Sequence, residues 1–190
     1  MRLRVVVVGV PGVGKTTVVN KLNSTMKGSR LITFGTVMLD EGKKLRWLKH
    51  RDELRKLPVE KQRRLQTIAA RRISNMKFKV LLVDTHLFVR TKEGFWPGLP
   101  FEVVRALKPT HLILVEADPE EVMLRRRADK TRYRDDVGRE DLMAELSLAR
   151  SFLTVSSTLT GAPMLMVSNG DGMSDQVVGG LVRMLREAAR

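Results

Sequence analysis

Gly9-Val10-Pro11-Gly12-Val13-Gly14-Lys15-Thr16-Thr17 gathers three glycines, a lysine and two hydroxyl residues into nine positions. Their order, glycine, four residues, glycine, lysine and threonine, is the phosphate-loop pattern. Glycines let the backbone wrap a polyphosphate with its N–H groups turned inward, and the helix that follows offers its positive N-terminal end to the same anion. Lys15 then reaches the β- and γ-phosphates, and the Thr16 hydroxyl joins the coordination of Mg2+ carried with them. A strand–helix turn that merely uses glycine is the plain alternative, but the apolar run before it and the helical pattern after it suit the phosphate loop. The stretch predicts nucleotide binding. Switches, motors and phosphotransferases share it, so it names no reaction.

Further candidates lie downstream. Asp84 ends the run "VLLVD", where a carboxylate at a strand's C-terminal edge holds magnesium through water beside Thr16; a solvated strand-end aspartate or helix cap is the other reading. His86 two residues on is a weak candidate base and reads equally well as a core residue. Arg125 comes late in a helix, Arg132 and Arg134 flank Tyr133 in a polar stretch, and Arg150 lies on the next helix. Guanidinium forks suit phosphate oxygens, and a phosphoryl group in transfer needs its charge spread over fixed donors. Asp129 and Asp135 stand ready to orient those arginines. The same stretch also reads as a solvated basic loop.

These groups need a scaffold. Apolar runs at 3–9, 31–34, 79–84, 111–117 and 163–167 are continuous rather than alternating, as in strands buried on both faces, and helical patterns separate them. The fold class is therefore α/β with a parallel sheet. Asp118-Pro119-Glu120-Glu121 is a helix start, and Ser174 is placed to cap a last helix carrying Val177, Val178, Leu181, Val182 and Leu185. Residues 36–76 interrupt the alternation as a basic insertion, with Pro58 dividing two helices, and 128–139 form a second, arginine-rich one. The second insertion reads as a loop able to close over substrates. After it, Leu142, Leu146, Ala149, Phe152 and Leu153 recur at helical spacing.

The 190 residues, 43% of them hydrophobic, suit one domain, with 1–35, 77–127 and 140–190 as its core. No run approaches the roughly 20 apolar residues of a membrane span, and the first strand leaves no room for a signal peptide, so a cytoplasmic protein is expected. Absence of cysteine excludes thiolate catalysis, disulfides and the usual zinc sites. A net charge of +14 favours anionic partners such as nucleotides or nucleic acid.

Taken together, "GVPGVGKTT", "RDELRKLPVEKQ", "DTHLFVRT" followed by "PGLP", and "DKTRYRDD" resemble the archaeal type of adenylate kinase, in order and over nearly the whole chain. The resemblance implies a three-layer P-loop kinase fold with a five-stranded parallel sheet, an AMP-binding insertion at 36–76 and a short lid at 128–139. It implies the conversion of ATP and AMP to two ADP with Mg2+, and a homotrimer. By motif, Gly9 to Thr17 would hold the ATP phosphates and Asn169 would contact the adenine. Arg55 and Arg90 would bind the AMP phosphate, with Thr36 and Met38 as the pocket wall. Lys15, Arg125, Arg132, Arg134 and Arg150 would stabilise the transferred phosphoryl. In one departure, Thr36 follows Gly35 where the family pattern has aspartate. Two alternatives share the phosphate machinery: a kinase for another nucleoside monophosphate, and an RNA-associated P-loop ATPase. Scarce aromatics and no RNA-binding module weigh against the latter, and no specific nucleic-acid or membrane partner is expected.

Overall fold

Valine and leucine saturate the apolar runs, and in the computed structural model every one of these runs supplies a strand. The structure describes residues 2–91, 93–128 and 138–190, the side chain of Arg55 excepted. In chain order the strands are β1 (Leu3–Val8), β2 (Ser29–Thr33), β3 (Val80–Asp84), the short β4 (Phe88–Thr91) and β5 (Gly94–Pro97), β6 (His111–Glu116) and β7 (Met164–Ser168). Five of them form one parallel sheet in the order β2-β3-β1-β6-β7. The side chains of β1, β3 and β6 are buried almost throughout, as strands covered on both faces require.

The covering helices are α1 (Lys15–Thr25), α2 (Phe34–Lys44), α3 (Val59–Ser74), α4 (Phe101–Leu107), α5 (Pro119–Ala128), α6 (Arg139–Thr160) and α7 (Ser174–Ala188). Right-handed crossovers decide their sides. The step from β1 to β2 runs opposite to every later step along the sheet, so α1 takes one face and α3, α4 and α6 take the other. The packing follows that division: α1 lies against α7, and α4 against both α3 and α6. A sheet wound in this way leaves a crevice at the carboxyl end of β1, where the connections part.

Arg4, on β1, fastens the opposite end. Its guanidinium donates to the carbonyls of Leu107 and Lys108 at 2.9 and 2.8 Å and to that of Ser74 at 2.7 Å. One cation thus serves the C-terminal carbonyls of α4 and α3, where both helix dipoles are negative.

Local signals mostly hold. Asp118 accepts the Glu120 N–H at 2.8 Å ahead of α5, and Pro58 separates a 3-10 helix (Arg51–Lys56) from α3. Ser174 is the first helical residue rather than the cap, and its hydroxyl accepts from Lys21 at 2.8 Å. The β4–β5 hairpin has no counterpart in the hydrophobic pattern. Each of its strands is four residues long and mostly exposed, too short to show a period.

Within the first insertion, Glu41 of α2 accepts from Arg72 of α3 at 2.7 Å and from Lys44 at 2.8 Å. The Lys44 hydrogen bond, followed by the charges of Lys44 and Arg72, holds the Glu41 carboxyl below its ordinary range against the effect of burial. A carboxyl with a lowered folded-state pKa adds stability above its unfolded pKa and loses it as pH falls through the folded value. Glu41→Gln should therefore lower stability at neutral pH by up to about 1 kcal/mol. In urea unfolding over a pH series, its difference from the parent should vanish once Glu41 itself is protonated.

Candidate active site

The phosphate loop leaves β1 at Gly9 and enters α1 at Lys15, its shape set by two glycines with left-handed backbone, Gly12 at φ 96° and Gly14 at φ 81°. L side chains rarely adopt that region. Val10 and Val13 point into the core and pin the loop from beneath, while Thr16 and Thr17 face outward. The loop also lies close to its neighbours. A Cβ on Gly9 would stand 2.7 Å from the Val115 carbonyl oxygen, and one on Gly14 would stand 2.3 Å from Asn169 Nδ2.

Asn169 follows β7 and is buried. Its Nδ2 donates to the Val13 carbonyl at 2.9 Å and its backbone N–H to that of Glu116 at 2.7 Å, which ties the β7–α7 loop to the phosphate loop. Its Oδ1 is buried without a partner among the described residues.

Lys15 is only 8% exposed, and its ammonium closes onto the carboxylate of Asp84, the last residue of β3. Strand register explains the meeting: Asp84 sits beside Val7, so its side chain reaches the mouth of the loop that Val8 feeds. One carboxylate and the Thr16 hydroxyl are too few ligands to cage a cation. They fit an ion that keeps its waters and takes phosphate oxygens, which is the habit of magnesium. Among the described residues no group of three or more His, Asp or Glu side chains is placed to hold a metal ion.

The candidate arginines whose side chains the structure describes, Arg125, Arg150 and Arg90, are each held by a carboxylate. Arg125 donates Nε to Asp171 at 3.1 Å, Nη2 to Glu121 at 3.0 Å and Nη1 to the Asn169 carbonyl at 3.2 Å, which brings it to the phosphate-loop side of the crevice. Arg150 donates Nε to Glu116 at 2.7 Å, and that hydrogen bond and charge raise its pKa further. Arg90 lies on β4, its Nε 3.2 Å from Glu145. Arg132 and Arg134, with the rest of 129–137, lie outside the described residues, as does the Arg55 side chain. Thr36 is exposed on the first turn of α2 and Met38 packs against the core edge. His86 is exposed.

The structure thus brings Gly9 to Thr17, Asp84, Arg125 and Asn169 to one place, with Arg150 held at the neighbouring end of β6. It also shows two residues that sequence reasoning missed. Arg126 donates Nε to the Pro11 carbonyl at 2.8 Å and Nη2 to Glu145 at 2.8 Å. In the run Arg125-Arg126-Arg127 nothing marks the middle arginine. Glu145 did leave a signal: it falls on the Leu142, Leu146, Ala149 stripe, where a carboxylate must have a partner.

A family model described as an AAA domain matches residues 8–143. The chain is 40% identical over 187 residues to an adenylate kinase of Methanocaldococcus jannaschii, covering 96% of this chain and 97% of the relative. It is 38% identical over 185 residues to an adenylate kinase of Methanopyrus kandleri, again covering 96% and 97%. Among solved structures it is similar to a shikimate kinase from Bacteroides thetaiotaomicron, with a TM-score of 0.58 at 14% identity over 98% of this chain and 97% of the other. That likeness concerns the fold.

Gly14→Ala places a methyl against Asn169 at a left-handed position, whereas at Gly28, φ 79°, nothing lies within 4 Å of the new atom. Both changes should cost about 1–2 kcal/mol of backbone strain in thermal unfolding, and Gly14→Ala more, because Asn169 must shift. Only Gly14→Ala should also weaken ATP binding by calorimetry, by about tenfold or more.

Proposed function

The chain belongs to the adenylate kinase family, and on that premise we propose that it reversibly transfers the γ-phosphoryl group of ATP to AMP, giving two ADP. The near-full-length match to adenylate kinases carries the reading, and the phosphate-loop geometry supports it. The reaction needs no nucleophile from the protein. An AMP phosphate oxygen attacks the γ-phosphorus in line as the bond to the β-phosphate bridging oxygen breaks, and the protein's task is positioning and charge.

The donor side is the crevice at the end of β1. The Gly9–Thr17 amides and the α1 N-terminus receive the ATP phosphates. Lys15 would exchange Asp84 for the β- and γ-phosphates, and Asp84, through water, with Thr16 would hold the magnesium ion. Magnesium bound with ATP supplies charge neutralisation across the outer phosphates. Asn169, whose Oδ1 is buried without a partner among the described residues, we assign to the adenine. Arg125 and Arg150, with Arg132 and Arg134, spread the charge of the transferring group. On the acceptor side we assign Arg90 and Arg55 to the AMP phosphate, with Thr36 and Met38 lining the pocket; 36–76 acts as the AMP-binding insertion and 128–139 as the lid.

The proposal extends to a cytoplasmic homotrimer. Among the described residues no helix is long and apolar enough to cross a membrane. The edge strand β7 exposes Met164, Leu165 and Met166, and α6 exposes Val155 and Leu159. An unpaired apolar edge is a liability that a second copy of the chain relieves.

The test is ADP formation from Mg-ATP with each nucleoside monophosphate in turn, beside ATP alone and ATP with RNA. AMP should support the fastest, reversible conversion, and Lys15→Met should lower it by about a thousandfold or more with the fold intact. AMP-independent, RNA-stimulated hydrolysis would overturn the reading in favour of an ATPase. Sedimentation should give three chains per particle, and Leu165→Glu should shift it towards monomer.

A further inference from the structure

Glu145 is 4% exposed, on the buried stripe of α6 that carries Leu142, Leu146, Ala149 and Leu153. Taking a carboxylate out of water costs several kcal/mol unless its partners are well placed. Here there are two. Oε2 accepts from Arg126 Nη2 at 2.8 Å, and Oε1 lies 3.2 Å from Arg90 Nε. Through Arg126 Nε the same cluster reaches the Pro11 carbonyl inside the phosphate loop. One buried carboxylate on α6 therefore touches α5, the β4–β5 hairpin and, at one remove, the loop that receives ATP.

The hairpin end of this cluster is built as carefully. The Arg90 guanidinium lies over the Phe95 ring at 5.3 Å, Phe95 meets Phe88 edge-on at 5.0 Å, and Phe88 leans on Phe152 of α6 at 5.8 Å. An aromatic face on one side and a carboxylate at Nε leave few orientations to the guanidinium. Among the described residues no hydrogen bond occupies the Nη edge: the exposed Asp141 stands 3.9 Å from Nη2, beyond hydrogen-bond length. That edge carries four N–H donors, enough for a bidentate grip on a phosphate. Two guanidiniums sharing one carboxylate also leave the cluster a net positive charge, which suits a dianion.

We infer that Glu145 is a positioning residue for the acceptor: it holds Arg90 by Nε so that the Nη edge is presented to the AMP phosphate, and through Arg126 it keeps that arginine in register with the phosphate loop. This rests on the adenylate kinase reading and on Arg90 as the AMP-phosphate ligand. A clamp that only joined α5 to α6 would affect stability and both substrates alike. A positioning role affects the acceptor selectively.

The experiment compares the parent, Glu145→Gln, Arg90→Lys and the double variant in steady-state ADP formation, varying AMP and ATP separately. Glu145→Gln should raise the KM for AMP about tenfold and that for ATP by less than about threefold. Adding Arg90→Lys to Glu145→Gln should change the AMP KM by less than about twofold, because the orientation it removes is already lost. Glu145→Asp keeps the charge but withdraws the carboxylate from Arg90; it should give an intermediate AMP KM, and it serves as the test if the glutamine variant does not fold. An AMP KM within about twofold of the parent in both position-145 variants, equal rises for the two substrates, or fully multiplicative effects with Arg90→Lys would each overturn the inference. A parent without AMP-dependent ADP formation would remove the function and this inference together, whereas an active parent with both position-145 variants unaffected removes this inference alone.

Discussion

A lysine ammonium buried at the mouth of a phosphate loop cannot stand without a counter-charge, and Asp84 provides it. The same constraint recurs along the strand ends, where Arg125 rests on Asp171 and Glu121, Arg126 and Arg90 on Glu145, and Arg150 on Glu116. In a chain carrying +14, these cations gathered without carboxylates would push the crevice open. Nucleotide binding can then proceed as partner exchange. On the reading proposed above, phosphate oxygens would replace the carboxylate at Lys15 and bind the exposed edges of the arginines.

Not all of these pairs are alike. Asp171 is largely exposed and screened by solvent, so its hold on Arg125 is easily given up. Glu145 is buried and Arg126, which it shares with the Pro11 carbonyl, is largely so at 11% exposed, and that pair is costly to break. The site therefore combines cations free to change partners with a frame that keeps its own, a division suited to binding and releasing two anions in every turnover.

The sheet and the phosphate loop were legible because both are local. Valine-rich runs state their burial directly, and the glycine spacing of the loop is itself the backbone geometry that Gly12 and Gly14 adopt. Residues acting across the chain were not legible in the same way. Arg126 differs from Arg125 only by its angle around α5, and that angle has meaning only once α5 lies beside the loop. The hairpin was hidden by its shortness, since four residues such as Phe88 to Thr91, three of them exposed, show no alternation. Glu145 stood out against its stripe, yet its two partners, 55 and 19 residues earlier in sequence, become its neighbours only in the folded chain.

Arg4 has a mechanical consequence. It binds the last turn of α3 at the end of the sheet remote from the phosphate loop, so α3 is anchored at that end, while Val59 at its other end is exposed. The helix has 16 residues, a rigid arm of about 24 Å. A rotation of about 10° about that mooring carries the Val59 end through about 4 Å, comparable to one turn of helix. On the proposed reading of 36–76 as the AMP-binding insertion, closure over an acceptor would be a swing of this arm about its anchored end.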